Sequence, residues 1–406
     1  MAAVVRAGGD AIVVTGVAQR EAWKVRELPP VEHLADGVWT SRAATGRPDH
    51  GNVTQQDDRG TATGQTGRET ATGRGDRGIG AGQGRGVSGA GLPGAGQVGG
   101  GIWSVPVPIP HNPLRYTLCY LIPGDDGLVV VDPGWDSDEG WAALEHGLAA
   151  AGGGVGDVRG VVVTHVHSDH HGLSKRLQQS GAWIAMHPAE RDALTPGGSP
   201  AEWLRAHHVP EDEIAVLAGT IGRHRLAAPA QPDVLLDDGD VVPVKGRKLT
   251  VVWTPGHTPG HICLLEPEAG VLLTGDHLLP RISPNIGLQR PGSSPLEAFL
   301  ESLGKVAAYD EVEALPAHEY RFRGVAARAR QLRAHHEERC AEIVATVERL
   351  GAPGIWALAS ELTWSRPWAE IGPMRVGAVA ETMAHVRYLA DRGALHWSGD
   401  VVTRAG

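Results

Sequence analysis

One stretch constrains this chain more than any other: Val161-Val162-Val163-Thr164-His165-Val166-His167-Ser168-Asp169-His170-His171-Gly172. Three consecutive β-branched residues predict a buried strand. Gly172 and the apolar spacing from Leu173 to Leu177 predict a helix after it. The histidines and the aspartate between them fall on a strand-to-helix loop, where a rigid scaffold can make side chains converge. His165 and His167 are two apart, which suits a loop folded round one ion rather than a helix face. Neutral imidazole is a favoured zinc ligand, and carboxylate oxygen completes such sites. The chain has 20 histidines in 406 residues, so one pair could arise by chance; this density directly after a strand could not.

Candidate ligands of the same kind recur after later strands. Thr254-Pro255-Gly256-His257-Thr258-Pro259-Gly260-His261 is turn-rich, Thr274-Gly275-Asp276-His277 ends an apolar run, and Pro316-Ala317-His318-Glu319 ends another. Predicted strands are Tyr116 to Ile122 and Leu128 to Val131 across a Gly-Asp-Asp-Gly turn, Val241 to Val244 with Leu249 to Trp253, Ile262 to Leu265 with Val271 to Leu273, and Glu313 to Leu315. Trp141 to Ala150 and Leu296 to Ala308 read as helices, and His187-Pro188-Ala189-Glu190 as a helix start. Residues 196–232 hold helical pieces expected to cover one side of the site. Arg328 to Leu350 reads as a long surface helix.

Ser41 to Gly101 is different in kind. It holds 19 glycines, no aromatic residue, and seven arginines offset by five acids. It cannot bury enough apolar surface to offset its ordering entropy, so a disordered insertion is expected. Gly37-Val38-Trp39 before it and Gly101-Ile102-Trp103 after it look like two parts of one hairpin region. Cys119, Cys263 and Cys340 form no close pair and no disulfide framework, so a reducing cytoplasm is the expected location. No run approaches the ~18 apolar residues of a membrane span. A net charge of −10 argues against nucleic-acid coating.

Taken together, His-Val-His-Ser-Asp-His, Pro-Gly-His, Thr-Gly-Asp and Ala-His-Glu resemble the metallo-β-lactamase-fold hydrolases. The second and third motifs are most similar to the glyoxalase II-like branch and its thioesterase and lactonase relatives. The resemblance implies an α/β fold, an αββα four-layer sandwich. It implies two zinc ions per chain: His165, His167 and His257 on the first, Asp169, His170 and His318 on the second, and Asp276 bridging both. Asp169 and Asp276 would be the catalytic carboxylates. The implied reaction is hydrolysis of a small ester or thioester, hydroxyacylglutathione-like, by a metal-bridged hydroxide. Alternatives on the same scaffold are a zinc endoribonuclease, a lactonase or β-lactamase-like hydrolase, and a mononuclear iron oxygenase.

His171 and His277 match no ligand position and are expected to support the site or face solvent. His261 and Asp132 are expected to be structural, Asp132 by hydrogen-bonding a ligand loop. Arg281, Asn285 and Arg290 are candidates for an anionic substrate group. The implied organisation is residues 1–40 as the start of the metallo-hydrolase domain, 41–101 as the insertion, 102–327 as the main domain and 328–406 as a tail. That tail resembles the winged-helix tail of some lactamase-like hydrolases. Residues 331–406 carry eight arginines, no lysine and nine acids, too balanced a charge for a phosphate binder. Pocket closure or a homodimer contact is its expected job, with a small molecule as the substrate.

Overall fold

The computed structural model describes residues 3–7, 10–25, 96–195, 198–223, 228–287 and 292–406. The strands are β1 (Ala3–Ala7), β2 (Asp10–Val14), β3 (Gly96–Val98), β4 (Ile102–Pro108), β5 (Tyr116–Gly124), β6 (Gly127–Val131), β7 (Val158–Val162), β8 (Trp183–Met186) and β9 (Val234–Leu235). They continue with β10 (Thr250–Trp253), β11 (Ile262–Glu266), β12 (Val271–Gly275), β13 (Glu313–Pro316), β14 (Phe322–Arg323), β15 (Leu395–Trp397) and β16 (Val402–Arg404). One seven-stranded sheet runs β3-β4-β5-β6-β7-β8-β9; the other runs β1-β2-β14-β13-β12-β11-β10.

The two sheets pack face to face because their central strands are apolar on both sides. Along β5, Tyr116, Leu118, Tyr120 and Ile122 point into the inter-sheet core with Val162, Val251, Ile262, Leu264 and Leu273. The alternate residues Cys119 and Leu121 face outward, onto Leu144, Leu148, Leu173 and Leu177 from the helical layer of that sheet. A strand with period-two side chains that is buried on both faces needs a helix layer outside it. The second sheet repeats the arrangement: Val252, Cys263, Leu272 and Phe322 face Leu296, Phe299, Leu303, Val325 and Leu332 from helices Pro295–Val306 and Val325–Leu350. The layers are therefore helix, sheet, sheet, helix, as expected. The Tyr116 and Tyr120 hydroxyls cross the core to donate to the Glu319 and Pro316 carbonyls, each at 2.8 Å.

Three features differ from the sequence expectation. Gly96–Val98, inside the expected insertion, forms strand β3, which pairs antiparallel with Ser104 to Ile102. The rest of the expected insertion and Gly37-Val38-Trp39 lie outside the described residues. Val241 to Val244 is not a strand: it makes one bridge, Val241 to Thr250. Pro243 has no amide hydrogen to continue a ladder.

Helix Val325–Leu350 is not a surface helix. Leu332, His336, Arg339, Ile343 and Val347, spaced four, three, four and four apart, form a buried stripe. Its first half packs on the second sheet and its second half on a tail core of Ile355, Leu358, Val379, Met383, Val386, Leu395 and Val402. One helix serves two cores, and His336 and Arg339 hid the stripe behind polar residue names. The tail adds helices Ile355–Ser360 and Arg375–Asp391 and the β15–β16 hairpin, with strands paired antiparallel. Helices Pro200–Ala206 and Glu211–Arg223 lie against it through Leu204, Val209, Ile214 and Leu217, packed with Trp356 and Val376.

The His336 and His385 rings are fully buried and joined at 3.1 Å. His385 Nδ1 donates to the Glu381 carbonyl, so its Nε2 must accept from His336 Nδ1, and both rings are neutral. Burial holds His336 at about 2 and His385 at about 4. Both values lie below the ordinary one, so their contribution to stability is present above about pH 6.5 and is lost as pH falls toward 4. Glu381, raised to about 7 by burial, works in the opposite direction over part of that range. In an NMR titration of the imidazole resonances, these two histidines should not titrate between pH 7 and 5; midpoints near 6.5 would contradict the assignment.

No helix among the described residues is long and apolar enough to cross a membrane.

Candidate metal centre

The site sits where the ends of β7, β12 and β13 and the loop after β10 meet. Seven side chains converge there in overlapping groups: His165, His167 and His257; His165, His170 and Asp276; Asp169, His170 and His318. All seven sequence-predicted ligand residues are brought together. The first three nitrogens form a triangle: His165 Nε2 to His167 Nδ1 is 3.0 Å, His257 Nε2 to His165 Nε2 is 3.2 Å, and His257 Nε2 to His167 Nδ1 is 3.1 Å. In the second group, His318 Nε2 is 3.5 Å from Asp169 Oδ2, and His170 Nε2 is 3.8 Å from it. Asp276 stands between the groups. Its Oδ1 is 3.3 Å from His318 Nε2; its Oδ2 is 3.6 Å from His170 Nε2 and 3.7 Å from His257 Nε2.

Hydrogen positions follow from the outer partners. His257 Nδ1 faces the Asn285 carbonyl at 2.8 Å and must donate to it, which leaves Nε2 as a bare lone pair. The Thr164 hydroxyl donates to Asp132 Oδ2 at 2.7 Å, so it accepts from His165 Nδ1 at 3.1 Å, and His165 Nε2 is also bare. Two lone pairs 3.2 Å apart repel unless a cation lies between them. About 3.3 Å is the edge of a tetrahedron with bonds of ~2.0–2.1 Å, the zinc–nitrogen distance. The second group makes the same point. His318 Nδ1 donates to the Tyr116 carbonyl at 2.9 Å, which turns its Nε2 toward the two carboxylates, where a positive charge is favoured. His170 Nε2, His318 Nε2 and Asp276 Oδ1 are buried and have no hydrogen-bond partner. The donor set fits metal ions.

The electrostatics agree. Burial, then the neighbouring imidazoles, hold His165 well below the ordinary imidazole range, and burial likewise lowers His257. Both are ready ligands at neutral pH. Burial alone would raise the Asp276 carboxyl, but His318 and His170 outweigh it and leave the group well below the carboxylate range. Asp169 is lowered by the same two histidines against the same burial. Burial disfavours charge on His170 and His318, yet the carboxylates around them raise both. The second group thus attracts positive charge.

The supporting residues are local in space but not in sequence. Asp132, at the end of β6, has a left-handed backbone (φ 51°) and accepts from Thr164 N and the Thr164 hydroxyl and pairs with His170 Nδ1. His261 Nε2 accepts from the Asp276 amide at 3.1 Å, and its Nδ1 bonds Thr254 Oγ1 at 2.8 Å. Gly275 (φ 48°) is required here: a Cβ would lie 2.6 Å from His261 Nε2 and 2.8 Å from Thr164 Oγ1. His171 is neither solvent-facing nor a ligand. It is buried, with Nδ1 on Ser174 Oγ and Nε2 on the Ala230 carbonyl. His277 is buried against Phe299, ring centroids 5.0 Å apart. His187 caps helix Pro188–Ala193, as its position implied.

The anion candidates are placed differently. Arg281 is half exposed and lies 3.8 Å from the buried Glu319, whose Oε2 accepts from the Arg281 and Ile282 amides. The Asn285 side chain turns to the tail, donating to the Gly377 carbonyl at 3.0 Å and to Glu381 Oε2 at 3.1 Å. Only its backbone carbonyl faces the centre, so the tail is tied to His257 through this residue. Arg290 lies outside the described residues. Sequence reasoning also missed Glu190 and Glu319 as support. Glu190 is twenty positions from the nearest ligand, His170, and Glu319, though next to His318, shows its amide partners Arg281 and Ile282 only in the fold.

The family model of the metallo-beta-lactamase superfamily matches residues 112–318, just over half of the chain. The chain belongs to this superfamily. A solved metallo-beta-lactamase family protein from Thermus thermophilus, TTHA1429, is 33% identical with a TM-score of 0.65, covering 75% of this chain and 98% of that one. Among curated proteins, the acyl-coenzyme A thioesterase MBLAC2 of Gallus gallus is 37% identical over 117 residues, 28% of this chain and 40% of that protein. The hydroxyacylglutathione hydrolase of Maricaulis maris is 34% identical over 106 residues, 26% of this chain and 38% of that protein. The matched regions thus span about two fifths of the length of these two relatives.

Proposed function

We propose that this superfamily member is a dinuclear zinc hydrolase that cleaves a small thioester or activated ester. The observation that carries it is the pair of donor groups, the lone pairs of His165 and His257 meeting at 3.2 Å in the first, with Asp276 standing between the two groups. His165, His167 and His257 would hold one ion, Asp169, His170 and His318 the other, and Asp276 both. An imidazole-rich set with two carboxylates suits zinc. Such ions, when bound, supply Lewis acidity and bring the pKa of water near neutrality.

The chain's own groups narrow the substrate. Asp169 is partly open while the other second-group donors are buried. Held ionised, its carboxylate can accept the proton of an attacking water. Asp276 is ionised as well, so neither central carboxylate starts the reaction with a proton to give, and the proton that Asp169 takes from the water is the one at hand, to pass to solvent or to the departing group. A leaving group stable as an anion fits best, and a thiolate, with an ordinary pKa near 8.5, is such a group. The two curated relatives named above as thioesterase and hydroxyacylglutathione hydrolase support the same class.

The tail's order of helices followed by a two-stranded hairpin supports a winged-helix-like reading. Its balanced charge and its link to His257 favour support or closure of the site over RNA binding. A panel of acyl thioesters, lactones, β-lactams and short RNAs tests the reading. Thioesters should give the highest kcat/KM; fastest turnover of RNA or β-lactams would overturn it.

A further inference from the structure

We propose that Glu190 is a positioning residue that clamps together the two loops carrying the first metal's three histidines; this rests on the two-metal reading above. Glu190 lies on helix Pro188–Ala193 and is fully buried. Its Oε2 accepts from the Val166 amide at 2.7 Å, and its Oε1 from the Gly260 amide, also at 2.7 Å. Val166 is the residue between His165 and His167. Gly260 closes the loop that begins at Thr254 and presents His257. One carboxylate thus joins loops some 90 positions apart in the chain, each by a short charge-assisted bond.

The surroundings are built for this contact. A Cβ on Gly260 would lie 2.6 Å from Glu190 N, 2.9 Å from Glu190 Cγ and 2.9 Å from His187 Nδ1, so only glycine lets the loop come this close. The helix bearing Glu190 is fixed from its first residue. His187 Nδ1 accepts from the Ala189 amide at 3.1 Å, and its ring stacks on Trp253, centroids 5.1 Å apart and planes within 4°. Trp253 is the last residue of β10, immediately before the His257 loop. The second metal's ligands have other supports: Asp132 for His170, the Tyr116 carbonyl for His318, and the Thr117 hydroxyl, which donates to the Asp169 carbonyl at 2.7 Å. Loss of the clamp should therefore fall on the first ion.

The test is Glu190→Gln in the full chain. Glutamine keeps the volume but turns one acceptor into an NH2 group that meets a backbone N–H. Zinc binding is measured by competition with a chromophoric chelator, and apo-protein stability by thermal melting. One of the two dissociation constants should rise about 10- to 100-fold, the usual cost of losing an outer partner, with the other unchanged. Gly260→Ala, which displaces the carboxylate instead of altering it, should act in the same direction. Wild-type affinity for both ions in either folded variant would overturn the proposal. So would an equal loss at both sites with a lowered apo melting temperature, which is the mark of a purely structural role. Fewer than two zinc ions on the wild-type chain would instead defeat the two-metal reading, and the clamp with it.

Discussion

Asp276→Ala should abolish turnover while leaving the chain folded. The loss should exceed the roughly 10- to 100-fold that removing an outer partner of a metal site costs, because this carboxylate faces both donor groups. Its Oδ1 approaches His318 and its Oδ2 approaches His170 and His257. Removing it would strip a donor from each ion at once. The fold should tolerate the change. The residue follows β12, and what holds that turn is the backbone: the Asp276 amide on His261 and the left-handed Gly275. Steady-state kinetics with far-UV circular dichroism on the same sample checks both halves. Retained turnover would remove Asp276 from the centre of the mechanism.

Removing the metal should lower thermal stability and activity together. The lone pairs of His165 and His257 lie 3.2 Å apart, and the apo protein keeps that repulsion. An ion present at 100 to 1,000 times its dissociation constant stabilises by about 3–4 kcal/mol. For a domain of this size that corresponds to a midpoint shift of roughly 5–15 °C. Chelator treatment should cause a fall of that order, and zinc should restore both melting temperature and turnover. Unchanged melting after complete removal would mean that the histidine cluster is not strained without its cation.

These expectations could be framed from the sequence because each ligand motif is local. His165 to His170, His257, Asp276 and His318 all follow strand ends, where residue type and position speak together. The sandwich was legible only through the resemblance that these motifs carry; the structure supplies its physical reason, since β5, β6 and β7 are apolar on both faces and need a second sheet on one side and helices on the other. What the sequence hid is long-range or polar. Glu190 binds amides 24 and 70 positions away. Asn285 looked like a substrate ligand, but its amide is engaged by the tail. His336 and Arg339 disguised a buried helix stripe, and Pro243 broke a strand that hydrophobicity alone would have drawn. Apart from Pro243, each miss is a case in which a partner distant in sequence decides what a residue does.

The central claim is that two ions share one cluster of seven side chains. Elemental analysis of the protein, purified without chelator and with its concentration fixed by amino-acid analysis, tests it directly. About two metal ions per chain, predominantly zinc, is the expected result. One iron per chain, or no bound metal, would contradict it.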